Sequence, residues 1–158
     1  MRILKILPLV AALFFRERVM AAPESQETAI AVKWYEAFVE NKAEILDAIL
    51  ASDWQDIPDA PDAPRGSHSA KAVLKLLHGA FPDFRIEIED VVAEGNKVVV
   101  RSAITGTQSG SFAGIPASGR KLDIQAVDIH LVENGKIQKT WHTEDWMSGL
   151  RQLGAFGR

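Results

Sequence analysis

An Asn-Gly pair at positions 134 and 135 separates two runs in which polar and apolar residues alternate. This pair is the strongest short-range signal for a β-hairpin, because both central residues of a type I′ turn adopt positive φ and Asn and Gly tolerate that conformation. The sequence therefore predicts an antiparallel hairpin over residues 124–145, in which Glu133 lies opposite Lys136.

The register of this hairpin decides which polar residues share a face of the sheet. A two-residue turn places Asp128 opposite Trp141 and His130 opposite Lys139, with His142 on the other face. A turn longer by one residue would exchange the two histidines. The shared face has the polarity of a pocket wall rather than of a packed core, and it carries these residues: Asp128, His130, Trp141, Thr143 and Asp145.

Charge and composition exclude several classes of function. The 158-residue chain has a net charge of −3 and lacks a stripe of Lys or Arg interleaved with aromatics, so nucleic acid is not an expected partner. Cysteine is absent, which rules out disulfides, thiolate metal sites and a cysteine nucleophile. A metal site built from histidines and carboxylates is not expected either, because only two of the four histidines lie near the proposed pocket. We expect no metal and no cofactor.

The amino terminus resembles a secretory leader. Two basic residues precede an apolar run over residues 6–15, which is too short to span a bilayer, and residues 19–21 offer small side chains before a cleavage site. We therefore expect a signal peptide at residues 1–22, a periplasmic or secreted protein, and no stable membrane span after processing. The charged segment 16–18 leaves an uncleaved, membrane-associating leader or a mis-assigned start codon as alternatives.

The first half of the proposed mature domain, residues 23–158, is predicted to be helical. Apolar residues at helical spacing cover about residues 26–40, and a similar pattern covers about residues 69–81. Between them, Asn41 and Glu44 have the spacing of a capping box, which would start another helix. We therefore expect three helices before the strands begin.

Strand patterns dominate the second half of the chain. Alternation predicts a strand from Phe84, a turn at residues 94–96 and another strand ahead of the hairpin, and a short helix ended by Gly154 closes the chain. The proline-rich segment 58–64 must be a loop, and it is long enough to cap a cavity. Because helices precede strands without βαβ alternation, we expect an α+β fold with a mostly antiparallel sheet.

Several segments together carry a family pattern. They are Phe81-Pro82-Asp83-Phe84, Ile88-Glu89-Asp90, Val100-Arg101, the glycine-rich stretch 106–120, Asp128-Ile129, Gly135-Lys136-Ile137, Trp141 and Leu150-Arg151-Gln152-Leu153-Gly154. Through them the chain resembles the SnoaL-like polyketide cyclases, or predicted ester cyclases, of the nuclear-transport-factor-2-like superfamily. The resemblance implies a cone-shaped fold, in which helices close a strongly curved sheet around a mostly apolar cavity. It also implies ring closure by intramolecular aldol chemistry without metal or cofactor.

The resemblance further implies that the acid/base group is an aspartate from the last strands. Asp128, His142 and Asp145 all remain open as the aligned position. A histidine often found in the early strand of the family is replaced in this chain, where Ile57 follows the segment 54–56.

Asp128 is our preferred general base. Its face of the strand also carries the apolar residues Leu122, Ile124 and Ala126. Burial is therefore expected to raise its pKa toward neutral pH, as a base requires. It would remove a proton α to a carbonyl, and His130 or the Trp141 indole would stabilise the enolate oxygen. The alternative is a structural ion pair between Asp128 and Arg101 across the sheet.

The other catalytic candidates each have a structural alternative. His130 is a donor, a proton shuttle or a histidine at the sheet rim, and His142 is an acid/base candidate or an interface or exposed residue. Asp145 is an acid/base candidate or the N-cap of the closing helix, which we favour. The candidate substrate-binding residues, of which the tryptophans have the core as their alternative place, are Trp34, Trp54, Arg101 and Trp141.

These patterns predict an exported α+β protein whose cavity binds a small, largely apolar carbonyl compound. It would act as a lyase, isomerase or hydrolase by general acid/base catalysis. The alternative is a non-catalytic module that carries or senses a small-molecule ligand in the same cavity. We also expect a homodimer, because Val127 and Ile129 would be exposed on the outer face of the sheet.

Overall fold

The computed structural model describes residues 25–59 and 63–156. The predicted signal peptide at residues 1–22 lies outside these ranges. Within them the elements are α1 (Gln26–Glu40), α2 (Ala43–Ile49), β1 (Leu50–Ile57), α3 (Ser67–Ala80), β2 (Arg85–Glu94), β3 (Lys97–Thr107), β4 (Lys121–Glu133), β5 (Lys136–Glu144) and α4 (Trp146–Leu153). In this described part, no helix is both long and apolar enough to cross a membrane.

The strands form one five-stranded sheet in the order β1-β5-β4-β3-β2. Strand β1 runs parallel to β5, and every other neighbouring pair is antiparallel. The predicted α+β fold with a mostly antiparallel sheet is therefore confirmed, whereas the cone shape stays a prediction. The local sequence pattern does not predict strand β1, because Leu50, its first residue, continues the apolar pattern of the preceding helix. Only the family resemblance implied an early strand.

The first two helices meet at Asn41. Helix α1 covers the predicted range, and Ser25 caps its start, where Oγ accepts a hydrogen bond from the Thr28 N–H at 3.1 Å. The predicted capping box does not form, because Asn41 adopts the left-handed conformation (φ 55°) that ends α1. Lys42 precedes α2 instead, without a side-chain cap bond to any described residue.

The core lies between the helices and the inner face of the sheet. Alternate residues are buried along β3 from Val98 onward and along β4 from Leu122 onward. Three of these inner positions carry polar side chains: Ser102, Asp128 and His130. The fold therefore buries polar groups on the two central strands.

Candidate active site

A cavity of about 520 Å³ lies between helices α1 and α3 and the inner face of the sheet. Most of its lining is apolar, with aromatic surface from Trp34, Phe84 and Phe112 among others. The polar residues that border it are Asp56, Ser102, Asp128, His142, Thr143 and Glu144. An apolar hollow with a few converging polar groups is the usual form of a small-molecule site.

Asp128 and His142 form the centre of the polar cluster. Nδ1 of His142 lies 2.7 Å from Oδ1 of Asp128, and Nε2 of the same ring lies 2.8 Å from Oδ1 of Asp56. The first contact is an aligned hydrogen bond. The second contact is close enough for an ion pair but is not aligned as a hydrogen bond, and Oδ1 of Asp56 has no aligned donor among the described residues. One imidazole therefore bridges two carboxylates.

A chain of hydrogen bonds reaches Asp128 from the core. Nε1 of Trp54 donates to Oγ1 of Thr140 at 3.1 Å, and this oxygen lies 3.1 Å from Nδ1 of His130. Nε2 of His130 lies 3.1 Å from the hydroxyl oxygen of Tyr35. The Tyr35 hydroxyl donates to Oδ2 of Asp128 at 2.7 Å. The chain thus ends on the carboxylate that His142 also contacts.

The acceptor at the end of this chain fixes its direction. An ionised carboxylate only accepts, so the Tyr35 hydroxyl gives its proton to the hydrogen bond with Asp128, and its oxygen accepts from Nε2–H of His130. Neutral His130 with its proton on Nε2 then accepts at Nδ1 from the Thr140 hydroxyl, which itself accepts from the indole N–H of Trp54. Burial lowers the pKa of His130 to about 4, which agrees with a neutral ring at pH 7.

Asp128 and His142 stabilise each other's charge. Burial alone would lower the pKa of His142, but Asp128 and Asp56 outweigh it and raise that pKa to about 10. Burial alone would raise the pKa of Asp128, but the hydrogen bond and charge of His142, helped by Tyr35, hold it below its ordinary value. The predicted rise in the pKa of Asp128 is therefore wrong, because an imidazolium faces it.

Glu144 is a third carboxyl at the same cavity, after Asp128 and Asp56. It follows His142 by two residues on β5 and borders the cavity, and the residue as a whole is exposed to solvent. Burial of its carboxyl raises its pKa, although Trp146 opposes the rise by donating from Nε1 to Oε2 at 2.5 Å. Two carboxyls whose pKa values are shifted in opposite directions have the arrangement of an acid and a base.

The register of the hairpin differs from the prediction by one residue. The turn is as predicted, but Gln138 is an additional residue in β5 and forms a β-bulge. Beyond it, Asp128 lies opposite His142 instead of Trp141. The predicted outer-face position of His142 and the predicted pocket position of Trp141 are therefore wrong, because a shift by one residue exchanges the faces.

Arg101 lies on the outer face of the sheet. It is opposite Val127 on β4 and forms ion pairs with Glu89 and Asp90. The predicted place of Arg101 beside Asp128 is therefore wrong, because adjacent residues of a strand point to opposite faces.

The structure also places the other predicted site residues, and each position favours one of the roles that the sequence left open. Asp145 caps α4, since its Oδ1 accepts a hydrogen bond from the Ser148 N–H at 3.0 Å. Trp54 lies in the core with 1 % of its surface exposed, whereas Trp34 lines the cavity. His130 is fully buried, so the predicted position at the sheet rim is wrong.

Sequence reasoning missed several members of the cluster as site residues. Tyr35 belongs to the apolar stripe of α1, where periodicity gives no signal for its hydroxyl. Asp56 reaches the cavity through the parallel pairing of β1 with β5, which no local pattern encodes. The correct register of β5 would have predicted that Glu144 lies on the inner face of the sheet, opposite Ala126. Ser102 and Thr140 are single hydroxyls on buried strand faces.

The cluster is suited to proton transfer. Within residues 25–59 and 63–156, no group of three or more His, Asp or Glu side chains is arranged to hold a metal ion. A protonated imidazole donates from both nitrogens and has no free lone pair for a metal. The arrangement offers an ionised carboxylate, held by two donors, at the wall of an apolar cavity.

Comparison with known proteins identifies the family. The model of the SnoaL-like polyketide cyclase family matches residues 29–153. Aklanonic acid methyl ester cyclase DnrD of Streptomyces peucetius is 29% identical over 92 residues, which are 57% of this chain and 63% of DnrD, so the match spans less than two thirds of that relative. TsrD from Streptomyces laurentii is structurally similar with a TM-score of 0.77 at 30% identity, over 83% of this chain and 96% of that chain. IdmH from Streptomyces antibioticus has a TM-score of 0.69 at 27% identity, over 82% of this chain and 99% of that chain. The chain belongs to the SnoaL-like polyketide cyclase family.

Proposed function

We propose that this protein is a cyclase- or isomerase-type enzyme that acts on a small, largely apolar carbonyl compound by general acid/base catalysis without a cofactor. The observation that carries the proposal is the Asp128 carboxylate, which is 4 % exposed and borders an apolar cavity. Family membership supports the reaction class, since the name of DnrD describes a cyclase of a methyl ester.

Asp128 is the general base of the proposed reaction. It takes a proton from a carbon α to a carbonyl, and the electron pair of the broken C–H bond forms an enolate. The enolate carbon attacks a second carbonyl of the same molecule, and Glu144, whose raised pKa favours its protonated form, gives a proton to the new alkoxide. The proton on Asp128 returns to Glu144 through solvent. The net change is an isomerisation that consumes no co-reactant.

The low pKa of Asp128 restricts the substrates. A carboxylate paired with an imidazolium is ionised at neutral pH, and Tyr35 and His142 fix its orientation. The adjacent cation also stabilises the negative charge of an enolate. Such a carboxylate is a weak base, so the reaction requires an acidified α-proton. A carbon between two carbonyl groups supplies one.

Hydrogen–deuterium exchange at an activated carbon tests this function. The probe is 2-tetralone in deuterated buffer at pH 7, because the carbonyl group and the aromatic ring together acidify the protons on its C1. Proton NMR follows the loss of the C1 proton signal. The protein should accelerate exchange over buffer, and Asp128→Asn should reduce the acceleration by about 100-fold or more, as expected for loss of a general base. Asp123→Asn, at an exposed position on the same strand, is the matched control and should keep the full rate.

The result decides between catalysis and carriage of a ligand. Equal rates for Asp128→Asn and the unchanged protein would refute the role of Asp128 as base. Saturable binding of 2-tetralone without accelerated exchange would favour the non-catalytic binding module instead.

Export forms a separate part of the proposal. It is supported by the leader-like pattern in residues 1–22. The mass of the amino terminus, measured on protein purified from its native host, should correspond to a start near Pro23. An intact Met1 would contradict export by cleavage.

A homodimer completes the proposal. It is supported by Val127, which is 37 % exposed on the outer face of the sheet, next to Ile129 in the same strand. Light scattering should give twice the mass of the processed chain, and Val127→Lys should halve it. A monomer at all concentrations would contradict this part.

A further inference from the structure

Ser102 is a polar side chain in the cavity wall that the proposed reaction does not use. It lies on the inner face of β3, lines the cavity and is 1 % exposed. Its hydroxyl oxygen has no hydrogen-bond partner among residues 25–59 and 63–156. Buried polar groups in proteins are nearly always paired, so an unpaired one in a cavity wall requires an explanation.

The surroundings of Ser102 give its hydroxyl no structural purpose. Its neighbours on the same face of β3 are Val100 and Ile104, and the residues paired with it on the adjacent strands are Ile88 and Ala126. An alanine would fill nearly the same space without a polar atom. The hydroxyl is therefore placed to meet an oxygen of a bound ligand, and water can pair with it in the free protein.

The register of the sheet places this hydroxyl close to the proposed base. Ser102 pairs with Ala126, and Val100 pairs with Asp128, so Ser102 and Asp128 are diagonal neighbours on one face. Such neighbours are on the order of 7 Å apart. A single carbonyl group fits this gap, with its oxygen on Ser102 and its α-carbon toward Asp128.

We propose that the Ser102 hydroxyl binds the carbonyl oxygen of the substrate and donates a hydrogen bond to it. The class of ligand is an apolar ring ketone, or an ester of similar size, oriented with its oxygen toward β3 and its α-carbon toward β4. As proton transfer to Asp128 proceeds, the same donor stabilises the oxygen of the enolate. The catalytic part rests on the proposed function, whereas the binding preference depends on Ser102 alone.

Two probes of nearly equal shape measure this hydrogen bond. They are 2-tetralone and tetralin, the hydrocarbon that lacks the ketone oxygen. Quenching of the fluorescence of Trp34 and Trp146, which line the cavity, gives both dissociation constants. In Ser102→Ala the preference for the ketone over the hydrocarbon should fall about tenfold, which is the effect of one hydrogen bond of 1.4 kcal/mol. Tetralin itself should bind Ser102→Ala as tightly as the unchanged protein, or more tightly.

Matched variants assign the preference to this one hydroxyl. Thr143→Val removes an exposed hydroxyl from β5, where Thr143 lies opposite the outer-face residue Val127, and should leave the preference unchanged. Ser102→Thr keeps a hydroxyl at the same position and should restore the preference that Ser102→Ala loses.

The outcomes separate this proposal from the proposed function. An unchanged preference in Ser102→Ala would overturn the oxygen site, even if Asp128→Asn still abolished exchange. An equal fall in Thr143→Val would overturn it as well, because the preference would not belong to Ser102. A tenfold fall confined to Ser102→Ala would support the oxygen site, even in a protein that showed no exchange.

Discussion

The raised pKa of His142 makes the stability of the fold depend on pH in one direction. That pKa is about 10 in the folded protein, compared with an ordinary value of 6.5. A group with a higher pKa in the folded state stabilises the fold fully below pH 6.5 and loses that contribution as pH rises through 10. The side chain is 18% exposed, so solvent screening is limited. The contribution is then about 4 kcal/mol at pH 7 and falls below about 1 kcal/mol at pH 10.

Urea unfolding of the protein and of His142→Gln measures this contribution. Tryptophan fluorescence gives the free energy of unfolding from pH 7 to pH 10 for both proteins. That free energy should fall by about 3–4 kcal/mol more in the unchanged protein than in the variant. Lysines and other groups that titrate between pH 7 and pH 10 affect both proteins equally, so the difference between the two curves isolates the contribution of His142. Parallel curves would refute the reasoning, since they would show that His142 is neutral in the folded protein.

Three further substitutions test separate contacts. Tyr35→Phe removes the hydroxyl that donates to Asp128 and should lower the free energy of urea unfolding by about 2 kcal/mol, the usual value for a hydrogen bond to a charged group; a loss below about 0.5 kcal/mol would contradict it. Asp145→Ala removes an N-cap and should lower the same quantity by about 1 kcal/mol, whereas an unchanged value would show that the cap is not formed in solution. Gly110→Ala places a Cβ against the carbonyl oxygen of Gly79 and should lower it by about 1–3 kcal/mol, and a melting temperature equal to that of the unchanged protein would exclude this close approach.

Local features of the fold were predictable because they depend on residues close in sequence. The hairpin turn is an example, since Asn134 and Gly135 have φ values of 52° and 73°, as a type I′ turn requires. The apolar stripe of α1 likewise predicted its buried face. Asn41 shows the limit of such rules, because the same residue suits a helix start and a left-handed helix end, and the chain uses it for the end.

The composition of the site was less predictable, because it depends on one bulge and one long-range pairing. No local pattern indicates that Gln138 is an extra residue in β5, yet this residue decides that His142 faces Asp128. Asp56 joins them only because β1 pairs with β5. The sequence correctly predicted that Asp128 lies in the cavity wall. The predicted direction of its pKa shift was wrong, because His142 lowers this pKa. Charges within a few ångströms decide that direction, and the register places those charges.

The protonation states of two histidines test most directly whether Asp128 is held as an ionised carboxylate. Long-range nitrogen–proton correlation NMR at pH 7 distinguishes an imidazolium from the two neutral tautomers of histidine. His142 should be protonated on both nitrogens, and His130 should be neutral with its proton on Nε2. A neutral His142, or a His130 proton on Nδ1, would contradict the hydrogen-bond directions that converge on Asp128.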